Sequence, residues 1–132
     1  MEDWRVLVVD DQEEIRELAA IVLRDLAGWS VEAVDGLDDM RRVGPTFLPD
    51  VVLLDNALGR ASGEDAARAL RGEGWFDRAS VLFFTGSASL EDRMRHAELG
   101  AGTIAKPFDP ISLADQIRAE VVRLGRLARS DV

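Results

Sequence analysis

The chain has no cysteine, a single histidine, a shortage of positive charge and no long hydrophobic run. Without thiols there is no disulfide framework, no cysteine-ligated zinc and no thiol chemistry. One histidine, His96, excludes a His-rich metal site. Sixteen Lys and Arg stand against 25 Asp and Glu, a net charge of −9. This argues against binding bare nucleic acid, since phosphate backbones are held by clustered cations. No apolar stretch reaches the length of a membrane span, and Met1-Glu2-Asp3-Trp4 lacks the positive start of a signal peptide. A cytoplasmic protein with no membrane insertion is therefore expected. What is present is 132 residues, 47% of them hydrophobic, enough for one domain with one sizeable core. No polar low-complexity tract interrupts them, which excludes a disordered chain.

Strand and helix signals alternate throughout. Arg5 to Val9 is a β-branched run suited to a buried parallel strand. Asp11 then opens a helix with Glu14 as capping-box partner. Ile15, Leu18, Ala19, Val22 and Leu26 recur at helical spacing, and Gly28 ends the helix. A strand over Ser30 to Val34 precedes a short helix, Leu37 to Val43, stopped by Gly44-Pro45. Val51 to Leu54 is the third strand. Ser62 caps a helix through Arg71 that Gly72 to Gly74 breaks. Val81 to Phe84 is a fourth strand ending at Thr85, and Ser89 with Asp92 starts a helix that ends at Gly100. Thr103 to Ala105 is a fifth strand, and Asp109-Pro110 starts the last helix. Ala114, Ile117, Val121 and Leu124 form its buried stripe, while Arg123, Arg126 and Arg129 complement its negative end. Five β-α units imply an α/β fold with a parallel sheet and helices on both faces. Residues 1–132 read as one domain, with no linker and no output domain expected.

Asp10-Asp11, Asp55 and Lys106 each sit where an apolar run stops. In open α/β sheets, that edge is where ligands bind. Asp11 has a bland explanation as a helix cap, but Asp10 beside it is electrostatically unfavourable unless a cation offsets the repulsion. Asp55 reads either as a turn residue or as a carboxylate nucleophile. Thr85 alone is a strand-end turn former and Lys106 alone a solvated lysine. Taken together, three carboxylates, a hydroxyl and an ammonium suit a hard divalent cation such as Mg2+ next to a phosphoryl group.

The blocks VLVVDD, PDVVLLD, FFTGSAS and IAKPFDP, in that order over nearly the whole chain, resemble a receiver domain of the two-component response regulator family. The resemblance implies a flavodoxin-like (βα)5 fold with sheet order 2-1-3-4-5. It makes Asp55 the phosphoacceptor, taking a phosphoryl group from a phosphohistidine. Asp10, Asp11, Asp55 and the backbone carbonyl of Ala57 would be the Mg2+ ligands. Thr85 would be the switching hydroxyl, Lys106 the phosphate partner, and Lys106-Pro107 would carry a cis peptide bond. The implied partners are a histidine kinase or histidine phosphotransfer protein and a downstream protein, the chain itself being a monomer or weak dimer. Such a module is not an enzyme beyond its own phosphorylation and dephosphorylation.

Two positions depart from the family pattern. Thr103 stands where an aromatic residue usually lies three residues before the lysine, so the aromatic half of the switch is absent. The signal would then leave through Ser87 to Gly102 or through the first helix. Gly59 replaces a common Pro and is expected to loosen the loop from Asn56 to Gly63. Ile15, Leu18, Pro107 and Phe108 lie near the expected site rim, with Leu18 read as core. Trp4, Trp29 and Trp75 are read as edge packing. Two rivals remain: a Mg2+-dependent phosphatase, weakened because Asp55-Asn56-Ala57 lacks a second Asp two residues on, and a pseudo-receiver that binds or dimerises without phosphate.

Overall fold

The computed structural model describes residues 2–125. In chain order its elements are β1 (Arg5–Val9), α1 (Glu13–Ala27), β2 (Ser30–Val34), α2 (Leu37–Phe47), β3 (Val51–Asp55), β4 (Ala57–Leu58) and β5 (Ala61–Ser62). There follow α3 (Gly63–Leu70), α4 (Gly74–Asp77), β6 (Ser80–Thr85), α5 (Leu90–Glu98), β7 (Gly102–Ala105) and α6 (Leu113–Arg123). The main sheet runs β2-β1-β3-β6-β7 with every pairing parallel. This is the anticipated 2-1-3-4-5 order, because β4 and β5 form a separate antiparallel hairpin.

Alternation along the strands divides the core into two layers. Val6, Val8, Leu53, Leu82 and Phe84 face one side with Ala19, Leu23, Leu113 and Ile117 of α1 and α6. Leu7, Val9, Leu54 and Phe83 face the other with Met40, Phe47, Leu70 and Trp75. Both layers are closed, which is why β3 and β6 are buried at every residue. All three tryptophans are buried, Trp4 and Trp29 with ring centroids 5.0 Å apart. No helix among the described residues is long and apolar enough to cross a membrane.

Several boundaries differ from the sequence reading. The cap of α1 is not Asp11: Gln12 holds that place with no side-chain bond, and Asp10 Oδ1 accepts the Gln12 N–H at 2.9 Å. Asp10 thus organises the turn and leaves Asp11 exposed. The buried face of α1 is Ala19, Ala20, Val22 and Leu23, whereas Leu18 is 47% and Leu26 62% exposed. Leu18 is therefore not core; two small alanines let the helix approach the sheet, and Leu18 lies about 100° of helical rotation from Ala19. Helix α2 runs through Gly44-Pro45 to Phe47. A Cβ on Gly44 would stand 2.5 Å from the Trp75 ring, so this glycine serves close packing rather than a stop. The last turn is anchored from β1, where Arg5 Nε donates to the Phe47 carbonyl at 2.6 Å and its guanidinium covers the Phe47 ring. The Gly72–Gly74 break opens directly into α4, which buries Trp75 and Phe76.

Gly28, Ser62 and Ser89 act as anticipated: Gly28 takes the left-handed conformation, and each serine accepts a backbone N–H from the third residue on. Asp109 Oδ1 accepts the Ile111 N–H, holding a turn before the regular helix begins at Leu113. Ala114, Ile117 and Val121 are buried, with Leu124 packed against them. Arg126 and Arg129 lie outside the described residues.

Candidate functional site

Parallel registration brings the ends of four strands to one edge. Asp10 follows β1, Asp55 closes β3 opposite Phe84, and Thr85 closes β6 opposite Ala105, just before Lys106. Asp10 is fully buried, Asp55 is 3% exposed and Asp11 is exposed. One carboxylate oxygen from each lies within 4.8 Å of the others. Lys106 Nζ is 2.8 Å from Asp10 Oδ2 and 3.3 Å from Asp55 Oδ1, and sits 4.9 Å over the Phe84 ring. The Lys106-Pro107 peptide is cis.

The two buried carboxylates, Asp10 and Asp55, thus share one ammonium. Asp55 Oδ1 also accepts the Ala57 N–H at 3.0 Å. Asp10 Oδ2 has no aligned hydrogen-bond donor among the described residues, only the ammonium beside it. Burial pushes the Asp55 carboxyl up to about 6; the Asp10 charge adds to this, while the Ala57 N–H and Lys106 oppose it. An all-oxygen donor set of three carboxylates, with one ammonium for the two that are buried, fits a hard divalent cation such as Mg2+.

Thr85 is in place, but its hydroxyl is turned onto the following loop. Thr85 Oγ1 accepts the Ser87 N–H at 3.0 Å and donates to the Ser87 carbonyl at 3.1 Å. The segment after Asp55, where Gly59 stands in place of the common Pro, has a defined path. It is the β4–β5 hairpin, turned at Gly59 in the left-handed conformation (φ +64°). Gly63 closes it: its N–H donates to the Asn56 carbonyl, and a Cβ there would collide with the Asp55 carbonyl. The bonds that tie Asn56 to Gly63 and Glu64 were not legible from sequence, since they join residues seven and eight positions apart across the hairpin. Lys106 carried a signal that the motif reading left unused, being the only lysine in the sequence.

The chain belongs to the response regulator receiver domain family, whose model matches residues 6–118. It is 34% identical over 129 residues to the phosphate regulon transcriptional regulatory protein PhoB of Escherichia coli strain K12, covering 97% of this chain and 56% of PhoB. The DNA-binding dual master transcriptional regulator RpaA of Synechocystis is 29% identical over 128 residues, 96% of this chain and 52% of RpaA. The chain spans about half the length of the curated relatives it matches. Among solved structures, the chemotaxis response regulator CheY4 of Vibrio cholerae superposes with a TM-score of 0.80 at 26% identity, over 89% of this chain and 98% of CheY4. Response regulator DrrB of Thermotoga maritima shares the fold, with a TM-score of 0.75 at 24% identity over 92% of this chain and 54% of DrrB. The fold is thus the flavodoxin-like receiver architecture, and the chain is a two-component signalling module.

Proposed function

We propose that Asp55 accepts a phosphoryl group from a phosphohistidine of a histidine kinase or histidine phosphotransfer protein. What carries this reading is the under-compensated pair of buried carboxylates, Asp10 and Asp55, sharing Lys106 at the sheet edge. An Asp55 carboxylate oxygen attacks phosphorus, the P–N bond breaks, and the departing imidazole nitrogen keeps the bonding pair. With a pKa near 6, Asp55 is ionised at neutral pH and ready as nucleophile. Asp10, Asp11, Asp55 and the Ala57 carbonyl would hold Mg2+. A bound Mg2+ would supply positive charge to the phosphoryl oxygens and to the crowded carboxylates. Lys106 neutralises a further phosphoryl oxygen, and the Thr85 hydroxyl leaves Ser87 to meet another. Hydrolysis of the acyl phosphate returns the module to its resting state.

Output passes through protein contacts, consistent with the acidic balance of the chain. PhoB and RpaA are transcriptional regulators by name. In a longer protein of that kind, contact with DNA would fall to the length not matched here. Intact mass after incubation with Mg2+ and acetyl phosphate tests the proposal. One added phosphoryl is expected, lost in Asp55→Asn and when EDTA replaces Mg2+. No adduct under rapid quenching would overturn it in favour of a module that binds without phosphate.

A further inference from the structure

A third buried carboxylate, outside the site just described, lies in the first turn of α3. Glu64 is 7% exposed and clamps the residue that directly follows Asp55. Glu64 Oε2 accepts Asn56 Nδ2 at 3.0 Å, and the Glu64 N–H donates to Asn56 Oδ1 at 3.2 Å. From α5, Arg95 donates to both carboxylate oxygens, at 2.9 and 3.1 Å, and also to Asp92. The next residue of α5, His96, is fully buried with its ring 4.4 Å from that of Phe83 on β6. His96 Nδ1 is 2.6 Å from Thr103 Oγ1 on β7. His96 Nε2 has no hydrogen-bond partner among the described residues and faces Glu64 Oε2 at 3.7 Å.

A buried nitrogen left unpaired is costly, so His96 Nε2 gains from any movement that brings an acceptor within reach. The charges around the ring select its tautomer. If Nδ1 carried the proton, the Nε2 lone pair would point at a carboxylate. With Thr103 donating to Nδ1, Nε2–H instead points at Glu64 Oε2, an acceptor just beyond reach. The same oxygen is held by Asn56. Glu64 Oε2 thus accepts from Asn56 on the Asp55 loop and from Arg95 on α5, and His96 Nε2–H on α5 stands as a third donor that competes with Asn56.

We propose that Glu64 is a two-position element, bonded to Asn56 while Asp55 is free and to His96 once Asp55 is phosphorylated, so that the state of Asp55 is passed to α5 and β7. This rests on the phosphoacceptor reading. Formation of the acyl phosphate weakens the Asp55 oxygens as acceptors and releases the Ala57 N–H toward the phosphoryl group, which draws Asn56 with it. Glu64 then closes on His96 Nε2–H, and the pull reaches Thr103 through the imidazole. From Thr103, whose N–H is held by Glu120 Oε1 at 2.9 Å, it continues to α6. Thr103, the β7 member of the relay, stands three residues before Lys106, the position that departs from the family pattern.

His96 is the only histidine, so a 15N-labelled chain carrying no histidine tag gives one set of imidazole resonances. These are recorded with Mg2+, before and during incubation with acetyl phosphate, with intact mass read on the same samples. The Nε2–H resonance is expected to move downfield, and its exchange with water to slow, as the adduct forms. In Thr103→Val the adduct persists and the response is lost, because the hydroxyl that sets the tautomer is gone. Glu64→Gln, an independent variant, should likewise hold the His96 spectrum in its unmodified form. An adduct with an unmoved His96 spectrum, or a full wild-type response in Glu64→Gln, would overturn the relay while leaving the phosphoacceptor intact. Absence of any adduct would overturn both.

Discussion

Asp55 and Glu64 are both buried carboxylates, both tied to the β4–β5 hairpin, and their surroundings push them in opposite directions. Burial dominates at Asp55 and raises its pKa, with Asp10 reinforcing the effect. At Glu64 the Arg95 hydrogen bonds dominate and hold the carboxyl below its ordinary value, with Asn56 helping against burial. The difference lies in compensation. Glu64 has a bidentate guanidinium and an amide, whereas Asp55 shares one ammonium with Asp10. A compensated buried carboxylate exchanges only among its protein partners; an under-compensated one is available to a cation and a phosphoryl group.

Removing the cation from each cluster should sharpen this contrast. Lys106→Met leaves Asp10 and Asp55 facing each other without an ammonium, and is expected to cost about 3 kcal/mol in EDTA by urea unfolding, with much of the loss recovered in Mg2+. Equal destabilisation with and without Mg2+ would break the link between Lys106 and the cation site.

The next effect, smaller, is on the pH dependence of stability without metal. The Asp55 carboxyl is raised from 3.8 to about 6, so the folded chain holds its proton longer than the unfolded one. Stability that Asp55 contributes at low pH is present below its unfolded value of 3.8 and is lost as pH rises through about 6, a loss absent from Asp55→Asn. Glu64 has the opposite sign: its contribution is present above its unfolded value of 4.5 and is lost as pH falls through its lowered folded value. His96, held neutral by burial, contributes stability above its unfolded value of 6.5 that is lost as pH falls. Because Asp55 and His96 oppose each other near pH 6, urea unfolding of the single variants against wild type is needed to separate them. The smallest effect belongs to Arg95→Met, expected to lower the urea midpoint least of the variants, because Arg95 is 45% exposed and water replaces part of what Glu64 loses.

How far each cluster can be read from sequence follows the same division. Asp10, Asp55 and Lys106 each end an apolar run, and parallel strands in register bring such ends together without further information. Ser62 and Ser89 were legible because a cap acts over three residues. Glu64, Arg95, His96 and Thr103 were not, because their bonds join α3, α5 and β7, and nothing local marks a buried charge among polar neighbours. Leu18 was misread because two helical stripes fit the same periodicity, and the small pair Ala19-Ala20 decided between them. Gly44-Pro45 was misread as a stop because the reason for the glycine, the Trp75 ring, arrives from α4.

The most direct test of the contrast is a carbon-detected NMR titration of the side-chain carboxyls of Asp55 and Glu64, in EDTA and again in Mg2+. Without metal, Asp55 should titrate near pH 6 and Glu64 below 4.5, and Mg2+ should move Asp55 downward while leaving Glu64 in place. An Asp55 that titrates in the ordinary carboxylate range without metal, or that ignores Mg2+, would contradict the claim that incomplete compensation sets it apart.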